Sequence, residues 1–241
     1  MPSHYRRYAA AALIYAAGFA YILLRWDAIP DPVPVHVGPT GEADGFASKT
    51  LLSTTVLMII GIVISAAMPL CLPPQSLARR TVDVPAEDAL PFSETAARRV
   101  EKLCDASADM VSKMILAMAA LFAVINVSMV VPDVNLPVWL DIALWVGFIV
   151  YVVAMGMRVT SAKDGIDPDA EEQARNAQLR YQGGMGTYSA PNDPMVAAVL
   201  PSNPGKIAVN TAHAPGKRYV RRMALGVVAT IGVCVALPFA V

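Results

Sequence analysis

"TLLSTTVLMIIGIVISAAMPLCL", residues 50–72, carries no charged side chain anywhere along its length. About 20 such residues, rising 1.5 Å each as a helix, cross the roughly 30 Å hydrocarbon core of a bilayer. In water the same helix would have no polar face to solvate it. This stretch therefore sets the solvent before any residue is given a role, and it predicts a membrane helix.

Working outward, four more runs share the property: Tyr8 to Leu24, Met110 to Val131, Val138 to Met157, and Met223 to Val241. The composition agrees. Of 241 residues, 56% are hydrophobic and only 16% are charged, against roughly 25% charged in soluble domains. The 19 basic and 19 acidic residues cancel, so no global field points to nucleic acid. The first run is flanked by Arg6, Arg7, Arg25 and Trp26, like interfacial anchors. It reads as a span rather than a secretory signal, because no small-x-small cleavage site follows it and the next loop leads into another span.

Lysine and arginine collect on one side of these spans. Arg6 and Arg7 precede the first; Arg79, Arg80, Arg98, Arg99 and Lys102 lie between the second and third; a larger group from Arg158 to Arg222 lies between the fourth and fifth. The other side has only Arg25 and Lys49. This bias predicts a cytoplasmic N-terminus. The expected organisation is a four-helix transmembrane domain over 1–158 with an outer loop at 26–49, a cytoplasmic segment over 159–222, and a C-terminal transmembrane helix over 223–241. The fold class is an all-α membrane protein of about five spans, with short β elements in the cytoplasmic segment.

The outer loop is the most crowded polar stretch. Asp31 lies between two prolines, which predicts an extended entry, and "GPTG" (38–41) and "ADG" (43–45) are turn signals. Ser48 and Lys49 mark the expected start of the second helix. His36, Glu42, Asp44 and Lys49 are the candidate binding residues, with His36, Asp44 and Lys49 expected to tie the loop down. A metal at His36 would need Glu42 or Asp44 folded onto it; a histidine hydrogen-bonded to a carbonyl or carboxylate is the favoured reading. No metal or cofactor pattern occurs elsewhere, and Cys71, Cys104 and Cys234 read as unpaired thiols.

"IPDPVPVHVGPTGEADGFASK", residues 29–49, resembles the signature of a bacterial membrane domain of unknown function at the N-terminus of SdpI-type immunity proteins. Ile29, Pro30, Pro34, His36, Gly41, Asp44, Gly45, Phe46 and Lys49 carry the resemblance. Val37 departs from it, standing where relatives usually have an aromatic. The resemblance implies a bacterial plasma-membrane protein that protects against a membrane-active peptide toxin or signals its presence. A second stretch, "LRYQGGMGTYSAPNDPMVAAVLPSNPGKIAVN" (179–210), is similar to a short module found in the same proteins. Tyr188, Asn192, Asp193, Pro194, Gly205 and Asn210 carry it, and short strands are expected near 186–189 and 207–210.

Residues 93–112, "SETAARRVEKLCDASADMVS", have a helical pattern with Ser93 as N-cap and Glu94 in the first turn. It reads either as an interfacial helix docking a partner or anionic lipid through Arg98, Arg99 and Lys102, or as an extension of the third span, which is favoured. The acids in "DPDAEEQAR" (167–175) read as the solvated start of a helix. Asn126 and Asp141 are the notable polar groups within spans, and Asp141 is expected to pair with Arg25, Lys49 or His36. Small-x-x-x-small pairs such as Gly61 and Ser65 suggest close helix contacts.

No nucleophile with its base, paired acids or zinc motif lies in the spans. The expected function is a non-catalytic membrane protein: an accessory or binding subunit, or an immunity or sensor protein, partnered by the lipid bilayer and by another membrane protein or a second copy. The alternative is a small-solute transporter, which predicts a hydrated cavity lined by Asn126 and Asp141.

Overall fold

The computed structural model describes residues 3–38, 42–179, 186–202 and 205–240. Six α-helices lie among them: α1 (Ser3–Leu24), α2 (Leu51–Ala67), α3 (Glu94–Val130), α4 (Val138–Thr160), α5 (Ala170–Gln178) and α6 (Ala214–Ala236). Five of these, all but α5, are long and apolar enough to cross a membrane. They overlap the five expected runs, but α3 begins at Glu94 rather than Met110, and α6 begins at Ala214, inside the expected cytoplasmic segment, and ends at Ala236. The chain is mostly helical, with a few short strands, and divides into two compact units.

The first unit takes in the chain through Pro69, Val111–Ala154, and the chain from Val227. It contains α1, α2, and parts of α3, α4 and α6. Helix α2 starts at a capping box: Thr50 Oγ1 accepts from the Ser53 backbone N–H at 3.0 Å, and Ser53 Oγ accepts from the Thr50 N–H at 2.9 Å. The cap is Thr50 rather than Ser48 or Lys49, because the reciprocal pair needs a hydroxyl at both positions. Thr54 and Thr55 return their hydroxyl protons to the carbonyls of Thr50 and Leu51 at 2.8 and 2.6 Å, which satisfies them inside an apolar span. Pro69 cannot continue the ladder, and the helix gives way after Ala67 to a 3-10 turn, Met68–Cys71.

The small residues act as expected at Gly61. A Cβ there would meet Tyr15 Oη at 2.5 Å and the Phe122 ring at 3.0 Å, so α1, α2 and α3 approach as closely as they do only because position 61 has no side chain. Asn126, fully buried on α3, donates from Nδ2 to the Thr54 carbonyl at 2.8 Å and accepts at Oδ1 from the Met58 N–H at 3.2 Å. Its amide thus bridges an i, i+4 pair of backbone groups on α2.

Between α1 and α2 the chain forms an antiparallel hairpin, β1 (Val33–Val37) with β2 (Ala43–Ala47). The expectation for this loop is an extended entry and turns tied down by side chains, not a β-hairpin. The turn signal "GPTG" falls largely on residues 39–41, outside the described residues, and "ADG" (43–45), also read as a turn, is corrected to strand, since Ala43 and Gly45 pair with Val37 and His36 across the ladder.

The second unit comprises Leu70–Met110 and Met155–Gly226. It contains a three-stranded sheet in the order β3 (Thr187–Tyr188), β5 (Ile207–Asn210), β4 (Ala197–Val199), with β3 parallel and β4 antiparallel to β5. The two expected strands are present; β4, in "MVAAV", replaces the expected loop between them. Its core joins Leu77, Val100, Leu103, Cys104, Val196 and Val199. Helix α3 begins at Ser93, whose Oγ accepts from the Ala96 N–H at 3.0 Å, and runs unbroken to Val130. Residues 93–112 are therefore the start of the third long helix, the favoured of the two readings.

Candidate functional site

The hairpin is held by the residues that the sequence singled out, with one exception. His36 Nδ1 contacts Asp44 Oδ1 across the strands, and both side chains are exposed. The register pairs His36 with Gly45, where a Cβ would stand 2.8 Å from the His36 Cβ; the glycine leaves room for the imidazole to turn toward Asp44. Lys49 Nζ donates to the Ile29 carbonyl at 2.8 Å and lies 5.1 Å from the centre of the Trp26 ring. Its backbone N–H donates to Asp31 Oδ1 at 3.1 Å. Buried Ile29 and Val33 anchor the base. Glu42 contributes its backbone carbonyl, which accepts from the Gly38 N–H at 2.8 Å, while its side chain is exposed. Val37 and Phe46 are exposed apolar residues on the two strands.

The polar groups within the spans are not brought together. Asn126 is consumed by α2 as described. Asp141 lies in the first turn of α4, where the helix dipole favours an acid; its Oδ1 is sheltered and has no hydrogen-bond partner among the described residues. None of its expected partners reaches it. His36 pairs with Asp44 and Lys49 with the Ile29 carbonyl, both within their own connecting segment, while Arg25 pairs with Asp133 in the segment between α3 and α4.

A cleft of about 490 Å³ opens among α1, α2 and α3. Tyr15, Ala16 and Phe19 line one side, Ile62, Ser65 and Ala66 the other, with Ile115 behind. Its walls are almost wholly apolar; Tyr8 also lines it, and Tyr15 Oη lies 3.4 Å from Ser65 Oγ. Ala16 and Ala66 are exposed on its rim. One turn before Ala11 and Ile115, which also line the cleft, Arg7 donates to Ser112 Oγ at 3.0 Å. Neither Asn126 nor Asp141 lines this cleft. The sequence offered only the small-residue spacing as a sign of it.

In the second unit the structure gathers Tyr188, Asp193 and Asn210 and adds Arg175. The fully buried Arg175 donates to Asp193 Oδ2 at 2.6 Å, and Tyr188 Oη donates to the same oxygen at 2.7 Å. Asp193 Oδ1 accepts from the Met195 N–H at 3.0 Å. Asn210 accepts from the Ala190 N–H at 3.1 Å and donates to the Ala190 carbonyl at 2.8 Å. Burial, and then the neighbouring Asp193, hold the Tyr188 phenol far above its usual range. Asn192 enters through its backbone alone, its carbonyl accepting from the Leu90 N–H at 2.9 Å.

The reading of 167–175 as a solvated helix start is corrected here, since Glu172 and Arg175 are both fully buried. Asp169 caps α5, accepting from the Glu172 N–H at 2.7 Å, and also takes the Thr95 N–H at 3.1 Å and the Ser93 hydroxyl at 2.9 Å. Glu172 accepts from Thr95 Oγ1 at 2.6 Å and Arg99 Nη1 at 2.7 Å. Two helix N-termini thus share one set of carboxylates. Desolvation alone would raise the Asp169 carboxyl, but these hydrogen bonds outweigh it and hold the group below its usual range.

Five long apolar helices define a multi-pass, membrane-type protein. The model of a domain of unknown function, DUF1648, matches residues 13–66, which take in most of α1, the hairpin, α2 up to Ala66, and both facing walls of the cleft. No curated protein and no solved structure matches the chain.

Proposed function

We propose that this chain is a non-catalytic integral membrane protein of the bacterial plasma membrane, with its N-terminus in the cytoplasm, that binds an apolar membrane component. Its role is that of an accessory subunit or of an immunity or sensor protein. The observation that carries this reading is the apolar cleft between α1, α2 and α3. It is large enough for a few side chains of a hydrophobic helix or membrane-active peptide, and its small rim residues allow close approach. The resemblance of 29–49 to the domain preceding SdpI-type immunity regions supports the same reading.

The polar candidates argue in the same direction. His36, Lys49, Asn126, Asp193 and Asn210 each serve a structural bond within their own unit, which favours binding over chemistry. The transporter alternative has less support, because Asn126 is occupied by α2 and does not line the cleft.

The test is affinity purification of the full chain from native membranes in mild detergent, with mass spectrometry and native mass analysis. Wild type is expected to retain a stoichiometric membrane protein or peptide, and Ala16→Trp or Ala66→Trp, which fill the cleft from its exposed rim, to lose it. Equal recovery by wild type and both folded variants contradicts the reading.

A further inference from the structure

We infer that the start of α6 is a binding site for anionic phospholipid, with the headgroup held by Lys217, Arg218, Arg221 and Arg222 and an acyl chain laid along Leu225 and Val228. All four cations are exposed, and among the described residues none takes part in an ion pair. Helix α6 has no acid in its sequence, "APGKRYVRRMALGVVATIGVCVA". In a chain whose total charge is zero, four positive charges in six residues form a local field.

Helical geometry puts these charges on one side. At 100° per residue, Lys217, Arg221, Leu225 and Val228 fall within an arc of about 80°, and Arg218 and Arg222 extend it by about 60°. The opposite side is occupied by protein. Gly216 is buried against the Asn210 carbonyl, and Tyr219 Oη donates to the Cys71 carbonyl at 2.7 Å. Arg222 lies 5.7 Å from the Tyr219 ring, measured from its guanidinium carbon, which directs that cation along the helix.

The apolar surface beyond the cations selects the partner. It begins directly after Arg222, and none of the most apolar window of α6 is buried by protein. Leu225 is 71% exposed and Val228 67%. About 10 Å separates Arg221 from Val228 along the axis, so one face offers cations at the edge of a span and apolar surface just inside it. A soluble acidic protein or a nucleic acid would use the charges and leave the apolar continuation idle. An anionic phospholipid uses both.

The test is native mass spectrometry of the full-length protein in neutral detergent, titrated with phosphatidylglycerol, phosphatidylcholine or soluble glycerol phosphate. Wild type is expected to retain phosphatidylglycerol in preference to the other two. Each single substitution, Lys217→Gln, Arg218→Gln, Arg221→Gln or Arg222→Gln, is expected to weaken that retention roughly fivefold, the factor equivalent to about 1 kcal/mol per basic residue near an anionic surface. The three-site variant R218K/R221K/R222K should keep the preference, and so should R98Q/K102Q, which removes exposed cations on α3. Leu225→Ser with Val228→Ser should weaken the lipid and leave glycerol phosphate unchanged. Equal retention of the two lipids overturns the proposal, as does glycerol phosphate binding as tightly as the lipid, unchanged retention in the single variants, or equal loss in R98Q/K102Q.

Discussion

Asn126 shows how one polar side chain can hold two membrane helices in register. Its amide meets a carbonyl and an N–H that belong to the same turn of α2, so a slip of either helix breaks both bonds. Hydrogen bonds between helices in a membrane contribute about 0.6 kcal/mol each on average and up to about 1.7. Asn126→Ala should therefore lower the stability of the first unit by roughly 1 kcal/mol, read as an earlier thermal transition of the tryptophan signal, since Trp26, Trp139 and Trp145 all belong to that unit. The buried Arg175 and Asp193 pair is held more tightly. Removing one partner strands the other charge, at a cost of about 3–5 kcal/mol. Asp193→Ala should expose buried Cys104, raising its labelling rate by a thiol reagent in a Cys71→Ser/Cys234→Ser background; unchanged labelling would contradict the network's structural role.

At the scale of the element, α5 depends on ionised carboxylates. The Asp169 carboxyl is held below its ordinary value of 3.8. A group with a lowered native pKa stabilises the fold above its unfolded pKa, and that contribution is lost as pH falls through the native value. Protection of Cys104 from an acid-active pyridyl disulfide should decline as pH drops below about 4. Asp169→Asn should start less protected at neutral pH and show a shallower decline.

The same helix marks where sequence reading ends. The five spans were legible because hydrocarbon imposes a length and a composition on each, and the Ser93 cap because a hydroxyl at that position has a local geometric use. The burial of Glu172 and Arg175 was not legible, since a helix start rich in acids looks the same whether water or Arg99 and Thr95 face it. The hairpin lay between these cases. The His36 and Asp44 tie was readable, but "ADG", read as a turn, belongs to β2, and the pairing of β1 with β2 depends on a register that glycine and proline obscure. Asn126 was visible as polar, while its role as a clasp required knowing which turn of α2 it faces.

For the whole molecule, the central claim is that the cleft of the first unit receives a specific apolar partner in the membrane. Its small rim and apolar walls define the site, and Lys49, bonded to the Ile29 carbonyl and to Asp31, ties the segment after α1 to the start of α2. The direct measurement is site-specific photo-crosslinking in native membranes, with a photoreactive phenylalanine analogue at Ala16 or Ala66 and a control at Val150, exposed on α4. The account predicts one discrete crosslinked protein or peptide from both cleft positions and none from Val150. Crosslinks to lipid alone, or the same products from all three positions, would contradict it.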